Sequence, residues 1–238
     1  MSNVILITGN SGQGKTTFAA NLAHALRING NEVLLVDADS NTPKLCYHFQ
    51  ILPQRTIQDV LLNRYTIKEA LYQHPDGLKI LFSSLATIKA PHPSKLLQEF
   101  KKTANIIIID VPTNDTAWYE SGEPTILVSQ PDFPSIMETQ KLRKKILNVQ
   151  GLVINRANND KYELSPQNIN QLTNLQIIGT IPEEKCMREA LKLGYTLIES
   201  HPESRTTTII KQIAAKTTNQ EYKEPEPAGI LKKLGLIP

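Results

Sequence analysis

The chain has 238 residues, 40% hydrophobic and 21% charged, enough to bury the core of one large domain but short for a second full one. A net charge of +3 disfavours nucleic acid as the main partner in the absence of a concentrated basic patch. Its two cysteines, Cys46 and Cys186, lie far apart with no ligand spacing around them, which argues against a disulfide framework or a zinc site and fits a reduced, cytoplasmic compartment.

In chain order, Val4-Ile5-Leu6-Ile7 is an apolar run of the kind that forms a strand covered on both faces. It follows Met1-Ser2-Asn3 directly, so no signal peptide is expected, and no apolar run approaches the length of a membrane span. Next comes Gly9-Asn10-Ser11-Gly12-Gln13-Gly14-Lys15-Thr16-Thr17, which leads into a helical pattern from Phe18 to Ile28. This fits the phosphate-binding loop GxxxxGK[ST] in its strand-loop-helix setting. Glycines let consecutive backbone N–H groups converge on a polyphosphate, and the next helix points its positive end at the same charges. Lys15 adds a cation at the β- and γ-phosphates, and the Thr16 hydroxyl suits a Mg²⁺ shell.

Further apolar runs at 33–36, 78–82, 106–109, 125–129, 151–155 and 177–181 alternate with helical patterns. Continuous hydrophobicity predicts about seven mostly parallel strands with helices on both faces, an α/β doubly wound nucleotide-binding fold. Ligands of such sheets sit at the carboxyl ends of the strands, where Gly9, Asp37, Asp110, Gln130 and Asn155 fall. Asp37-Ala38-Asp39 and Asp110-Val111-Pro112 place three carboxylates there, suited to holding Mg²⁺ and orienting the water that attacks a γ-phosphate. A strand-end Asp alone reads as a cap or turn former; three beside a phosphate loop favour the metal reading. Lys141, Arg143, Lys144 and Lys145 alternate with Leu142 and Ile146 and read as a solvated helix face.

Residues 1–220 are thus expected to form the P-loop domain, with the proline-containing stretch 221–229 as a linker. In the last nine residues Ile230, Leu231, Leu234, Leu236 and Ile237 are apolar. On a helix Ile230, Leu231, Leu234 and Ile237 share one side, with Lys232 and Lys233 off it, the pattern of a short interfacial anchor for anionic lipid. A tail packed on its own domain or on a partner protein, or one that stays disordered, fits the same residues.

Together these residues resemble the MinD/ParA branch of the deviant Walker A ATPases, and within it the prokaryotic MinD proteins of division-site selection. The matching stretches are ITGNSGQGKTTFAANLAHAL, VLLVDADSNTPKL, TIQDVLLNRYTIKEALYQHPDGLKIL, IIIIDVP, GLVINR and IIGTIPEEKCMREALKLG, in the family's order. The resemblance implies an ATP-driven switch: a homodimer that forms around two ATP molecules, sits on the inner face of the membrane through its C-terminal helix, engages a regulatory or cargo protein, and is released by hydrolysis. It also implies that Gly12, Gly14, Lys15, Thr16 and Thr17 hold the phosphates, that Thr16, Asp37 and Asp110 organise Mg²⁺, and that Asp39 orients the attacking water. Asn155 would read the adenine edge, with Arg156 and the backbone after Pro182 nearby.

The sequence also departs from the family pattern. The signature lysine of the deviant loop, which reaches across the dimer, is replaced by Asn10, and the next glycine by Ser11. A lost cation at a developing triphosphate charge costs a factor of about 10³ or more in comparable trans contacts, so slow turnover, or dimerisation by another contact, is expected. Residues 111–115 lack the glycine that usually ends the switch after Asp110, and Lys44 stands where MinD relatives often carry Asn. The competing expectations are a nucleotide-binding localisation module with little hydrolysis and a ParA-type DNA partitioning protein. A small-molecule kinase is disfavoured by the lack of an arginine-rich lid, and a GTPase by the lack of an NKxD motif.

Overall fold

The strands read as unbroken apolar runs because successive side chains enter two different cores. Ile5 and Ile7 face one side of the sheet with Val33, Leu35, Ile106, Ile108, Ile126 and Val128. Val4 and Leu6 face the other with Leu34, Val36, Ile107, Ile109 and Leu127. The protein, a computed structural model that describes residues 3–86, 88–220 and 222, has eight strands among those residues. They are β1 (Asn3–Thr8), β2 (Val33–Asp37), β3 (Tyr72–Gln73), β4 (Lys79–Leu81), β5 (Ile106–Asp110), β6 (Thr125–Ser129), β7 (Val149–Ala157) and β8 (Ile177–Pro182).

The sheet order is β3-β4-β2-β5-β1-β6-β7-β8, and every pairing is parallel except that of β3 with β4. The doubly wound α/β expectation therefore holds, with seven parallel strands and a short antiparallel edge strand. In the centre, β1 lies between β5 and β6, so the loop after β1 emerges between the carboxyl ends of its neighbours.

One face is covered by α1 (Lys15–Ile28), α2 (Leu45–Phe49), α9 (Lys185–Leu193), α10 (Leu197–Ser200) and α11 (Arg205–Thr217). The other carries α3 (Ile57–Leu61), α4 (Ile67–Ala70), α5 (Leu97–Phe100), α6 (Thr116–Tyr119), α7 (Phe133–Arg143) and α8 (Pro166–Thr173). The helix α1 is buried along most of its length, wedged between the sheet and α11. Asn21 fixes it further: its Oδ1 accepts from the backbone N–H groups of Leu197 and Ile198, at 2.8 and 3.3 Å.

The basic cluster at the end of α7 behaves as a solvated face: Lys141, Lys144 and Lys145 are exposed while Leu142 and Ile146 are buried. No described helix is long and apolar enough to cross a membrane. The expected linker at 221–229, apart from Tyr222, and the expected anchor at 230–238 lie outside the described residues.

Candidate nucleotide site

The loop from Gly9 to Gly14 is shaped by what glycine alone tolerates. Gly9 has φ 153° and packs so tightly on β6 that a Cβ there would meet Val128 O at 2.2 Å. Gly14 has φ 86° and is the residue from which α1 starts; a Cβ there would meet Asn155 Nδ2 at 2.3 Å. The first turn of α1 follows at once with Lys15, Thr16 and Thr17, so the positive helix end and its free N–H groups face the loop.

Side chains hold this loop in place. Gln13, only 7% exposed, accepts from the backbone N–H of Gln130 through Oε1 at 2.6 Å and donates through Nε2 to Ser135 Oγ at 3.0 Å. The Gln13 side chain is therefore a tie from the loop to the β6–α7 connection, and what it can offer a phosphate is its backbone. The Thr113 hydroxyl donates to Gly9 O at 2.5 Å, and Asn155 Nδ2 donates to Gln13 O at 2.8 Å. Ser11 and Gly12 are exposed at the tip, and Asn10 is half-buried.

Lys15 is 9% exposed, and its Nζ donates to Asn10 O at 3.3 Å. Burial pulls its ammonium below the ordinary lysine range, while Asp110 opposes that shift. The Thr16 hydroxyl donates to Asp110 Oδ2 at 2.5 Å. The other Asp110 oxygen, Oδ1, is buried and has no hydrogen-bond partner. Such an orphaned carboxylate oxygen, next to a threonine hydroxyl and at the base of a phosphate loop, has the donor chemistry of a Mg²⁺ position. Burial pushes the Asp110 carboxyl up to about 6, against the pull of Thr16 and Lys15.

Asp37 stands beside Asp110 in the parallel register of β2 and β5. It is fully buried, and its oxygens accept three backbone N–H groups: Asp39 on Oδ1 at 3.0 Å, and Lys44 and Leu45 on Oδ2 at 3.0 and 3.1 Å. Burial and the Asp110 charge raise its carboxyl above the usual range, and the three N–H groups hold it down. Asp37 thus grips both ends of the segment 39–45. Asp39 shapes the same segment, accepting from the Asn41 and Thr42 N–H groups on Oδ1 at 3.0 and 2.8 Å, and from the Thr42 hydroxyl on Oδ2 at 2.9 Å. It forms an Asx turn and also lines a narrow nook of about 10 Å³ with Lys15, Thr16, Thr42, Lys44, Asp110, Val111 and Pro112.

The far side of Gly14 opens into a second cleft of about 270 Å³, whose lining includes Thr17, Phe18, Asn155, Arg156, Pro182 and Met187. The pairing of β7 with β8 is irregular between Ile154 and Ala157, which releases Asn155 and Arg156 from the ladder. Arg156 takes φ 57° there, and its Nε lies 3.6 Å from Glu183 Oε2. The Asn155 carboxamide oxygen makes no hydrogen bond among the described residues, so it is an acceptor available beside an apolar wall.

The structure therefore brings the sequence-expected residues together in two adjoining halves. Lys15, Thr16, Asp39 and Asp110 meet in the nook; Gly14, Thr17, Asn155, Arg156 and Pro182 meet in the cleft; the loop joins them. Asp37, expected with Thr16 and Asp110 at the metal, instead stands behind Asp110 with both oxygens taken by backbone N–H groups. Sequence reasoning missed Thr113, Tyr119 and Thr8 as loop holders. The Tyr119 hydroxyl lies 3.1 and 3.0 Å from Pro112 O and Thr113 O and 2.9 Å from Thr8 Oγ1, which strap the glycine-free segment 111–115 to the site.

A family model described as the CobQ/CobB/MinD/ParA nucleotide binding domain matches residues 4–197. An ATP-binding protein of Methanocaldococcus jannaschii is 30% identical over 233 residues, covering 92% of this chain and 88% of its own. The solved structure of the cell division ATPase MinD of Pyrococcus furiosus superposes with a TM-score of 0.81 at 25% identity, covering 92% of this chain and 99% of that one. MinD of Pyrococcus horikoshii, solved with Mg-ADP, gives 0.80 at 25% identity, with coverages of 91% and 96%. The match over 194 of 238 residues, on a sheet and loop of this geometry, places the chain in the CobQ/CobB/MinD/ParA family of nucleotide-binding domains.

Proposed function

We propose that this chain is a MinD-like ATPase that uses ATP binding and slow hydrolysis as a switch for peripheral membrane attachment and the recruitment of a partner protein. The observation that carries the reading is the convergence of Lys15, Thr16 and the orphaned Asp110 Oδ1 at the base of the glycine loop, beside a cleft that offers Asn155 to a base. The Mg-ADP bound by the Pyrococcus horikoshii protein and the ATP binding of the Methanocaldococcus relative support it.

In this reading the loop N–H groups and the N-terminal end of α1 bind the polyphosphate, and Lys15 lies against its outer charges. Thr16 and Asp110 hold Mg²⁺, which neutralises phosphate charge, while Asp37 keeps the segment 39–45 in place. Asp39 orients the attacking water from the nook. The adenine amine donates to the Asn155 oxygen, with Arg156 and the backbone after Pro182 at the rim.

Two nucleotide-bound chains pair face to face, and paired tails attach to anionic lipid far better than one, because the second contact is made at high effective concentration. The sequence pattern of 230–238 supports the lipid reading, and a relative named septum site-determining protein MinD at 26% identity supports spatial regulation as its purpose.

Sedimentation with anionic vesicles tests this directly, in Mg-ATP, Mg-ADP and no nucleotide, with a chain ending at Gly229 alongside. Attachment only with ATP and only with the tail is the expected result. Equal attachment in all three states, or none, would leave a nucleotide-binding module without a switch.

A further inference from the structure

Asn10 carries no charge where the resemblance expects a lysine; its side-chain Nδ2 is buried without a partner, and its backbone carbonyl oxygen accepts from Lys15. The nook at the loop base nevertheless contains a second cation. Lys44 lines it together with Lys15, Thr16, Asp39 and Asp110. We propose that Lys44 supplies, within its own chain, the positive charge for the terminal phosphate of ATP that Asn10 leaves uncharged. This rests on the ATP-binding reading above and adds to it the residue that distinguishes a triphosphate from a diphosphate.

Three observations support the assignment. The Lys44 backbone cannot drift, because its N–H donates to the fully buried Asp37 at 3.0 Å and the preceding Pro43 is buried. The turn that delivers it is closed by three hydrogen bonds to Asp39. Its side chain is exposed and makes no hydrogen bond or ion pair among the described residues, so the ammonium is uncommitted while its backbone is held.

Charge balance explains why the position needs it. The described residues lining the loop base include the carboxyls of Asp39 and Asp110 against the single buried ammonium of Lys15, while Asp37 behind them is pushed up to about 8 by burial and adds little charge. The Lys44 charge acts on both Lys15 and Asp110, which places it within electrostatic reach of the atoms a terminal phosphate would neighbour. A four-carbon stem on a fixed backbone is suited to meeting a charge that is present in ATP and absent in ADP.

Calorimetric titration with Mg-ADP and with the Mg complex of the β,γ-imido analogue of ATP tests the assignment without turnover. In Lys44→Ala the analogue should bind about tenfold or more weakly than in the wild type, with ADP affinity held within about twofold. Lys44→Arg should keep most of the analogue affinity, and Lys44→Glu should lose more than Lys44→Ala. Because the side chain is exposed, the melting temperatures of all three should match the wild type. An equal loss for both nucleotides, or no loss for either, overturns the role of Lys44 while ATP binding stands. A wild-type chain that binds neither nucleotide overturns both.

Discussion

Asn155 and Gln13 are joined by a 2.8 Å hydrogen bond from a side-chain amide to a loop carbonyl, 142 residues apart in sequence. The same Nδ2 lies where a Cβ on Gly14 would sit, so the two halves of the site share one contact. Asn155→Ala should therefore weaken binding of the phosphates and of the base together. Affinity for ATP should fall about tenfold, and preference for ATP over GTP should narrow, since the free carboxamide oxygen is the proposed acceptor for the adenine amine. Competition binding with both nucleotides checks this; an affinity loss with unchanged preference would leave Asn155 as a loop anchor only.

Thr16 and Asp110 make the contact on which the proposed metal dependence turns. Removing Mg²⁺ with a chelator should weaken nucleotide binding by about tenfold or more, whereas Asp110→Asn should be weak from the start and insensitive to the chelator. Stability should move the opposite way. The Asp110 carboxyl is raised to about 6 by burial, so its charge at pH 8 opposes folding, and the neutral amide should leave the nucleotide-free protein as stable or more stable by about 1–3 kcal/mol. Denaturant titration at pH 8 measures that difference, and a clear destabilisation would count against it.

The fold and the loop were legible because their signals are local. A strand buried on both faces needs only a run such as Ile106-Ile107-Ile108-Ile109, and the loop, its lysine and its helix are contiguous. What stayed hidden depends on distance. Gln13 sits at a variable position of the motif, and only its bonds to Gln130 and Ser135 reveal it as scaffold. Asn155 was legible as a site residue, but the pairing irregularity that releases it and its bond to Gln13 O are announced by no periodicity. The two-residue β3 is too short to alternate, and its position follows from a hairpin with β4. Lys44 was visible as an oddity of sequence, but its place in the nook follows from Asp37 and Asp39 closing the segment before it.

Tyr119 offers a test of the strap on 111–115. It is 1% exposed and its hydroxyl meets two carbonyl oxygens and Thr8. Tyr119→Phe keeps the ring packing and removes the hydroxyl, which should cost about 0.5–1.5 kcal/mol for the hydrogen bonds lost to these part-buried carbonyls. Backbone amides of Val111 and of 113–115 should exchange faster with deuterium while the core of β5 stays protected. Unchanged exchange there would mean that Thr113 and Gly9 hold the segment without the tyrosine.

His48 gives the protein a pH dependence that is separate from the site. Its ring is 5% exposed, packs edge-on against Phe49 with centroids 5.0 Å apart, and leaves Nε2 buried without a partner. Burial pushes its pKa down to about 4 from an ordinary value of 6.5. Between those values the unfolded chain binds the proton and the folded chain does not, so stability rises with pH across the window. It is complete above about 6.5 and is lost as the pH falls towards 4, by about 3 kcal/mol in total for this one group. His48→Leu fills the same space without a titrating nitrogen, so its stability should be close to the wild type at pH 7.5 and exceed it progressively below pH 6. Other acid-sensitive groups, the buried His24 among them, are present in both proteins and cancel in the difference. Urea unfolding of the pair from pH 4.5 to 7.5 gives that difference directly, and two parallel curves would show that the unpaired ring already finds a proton acceptor when charged.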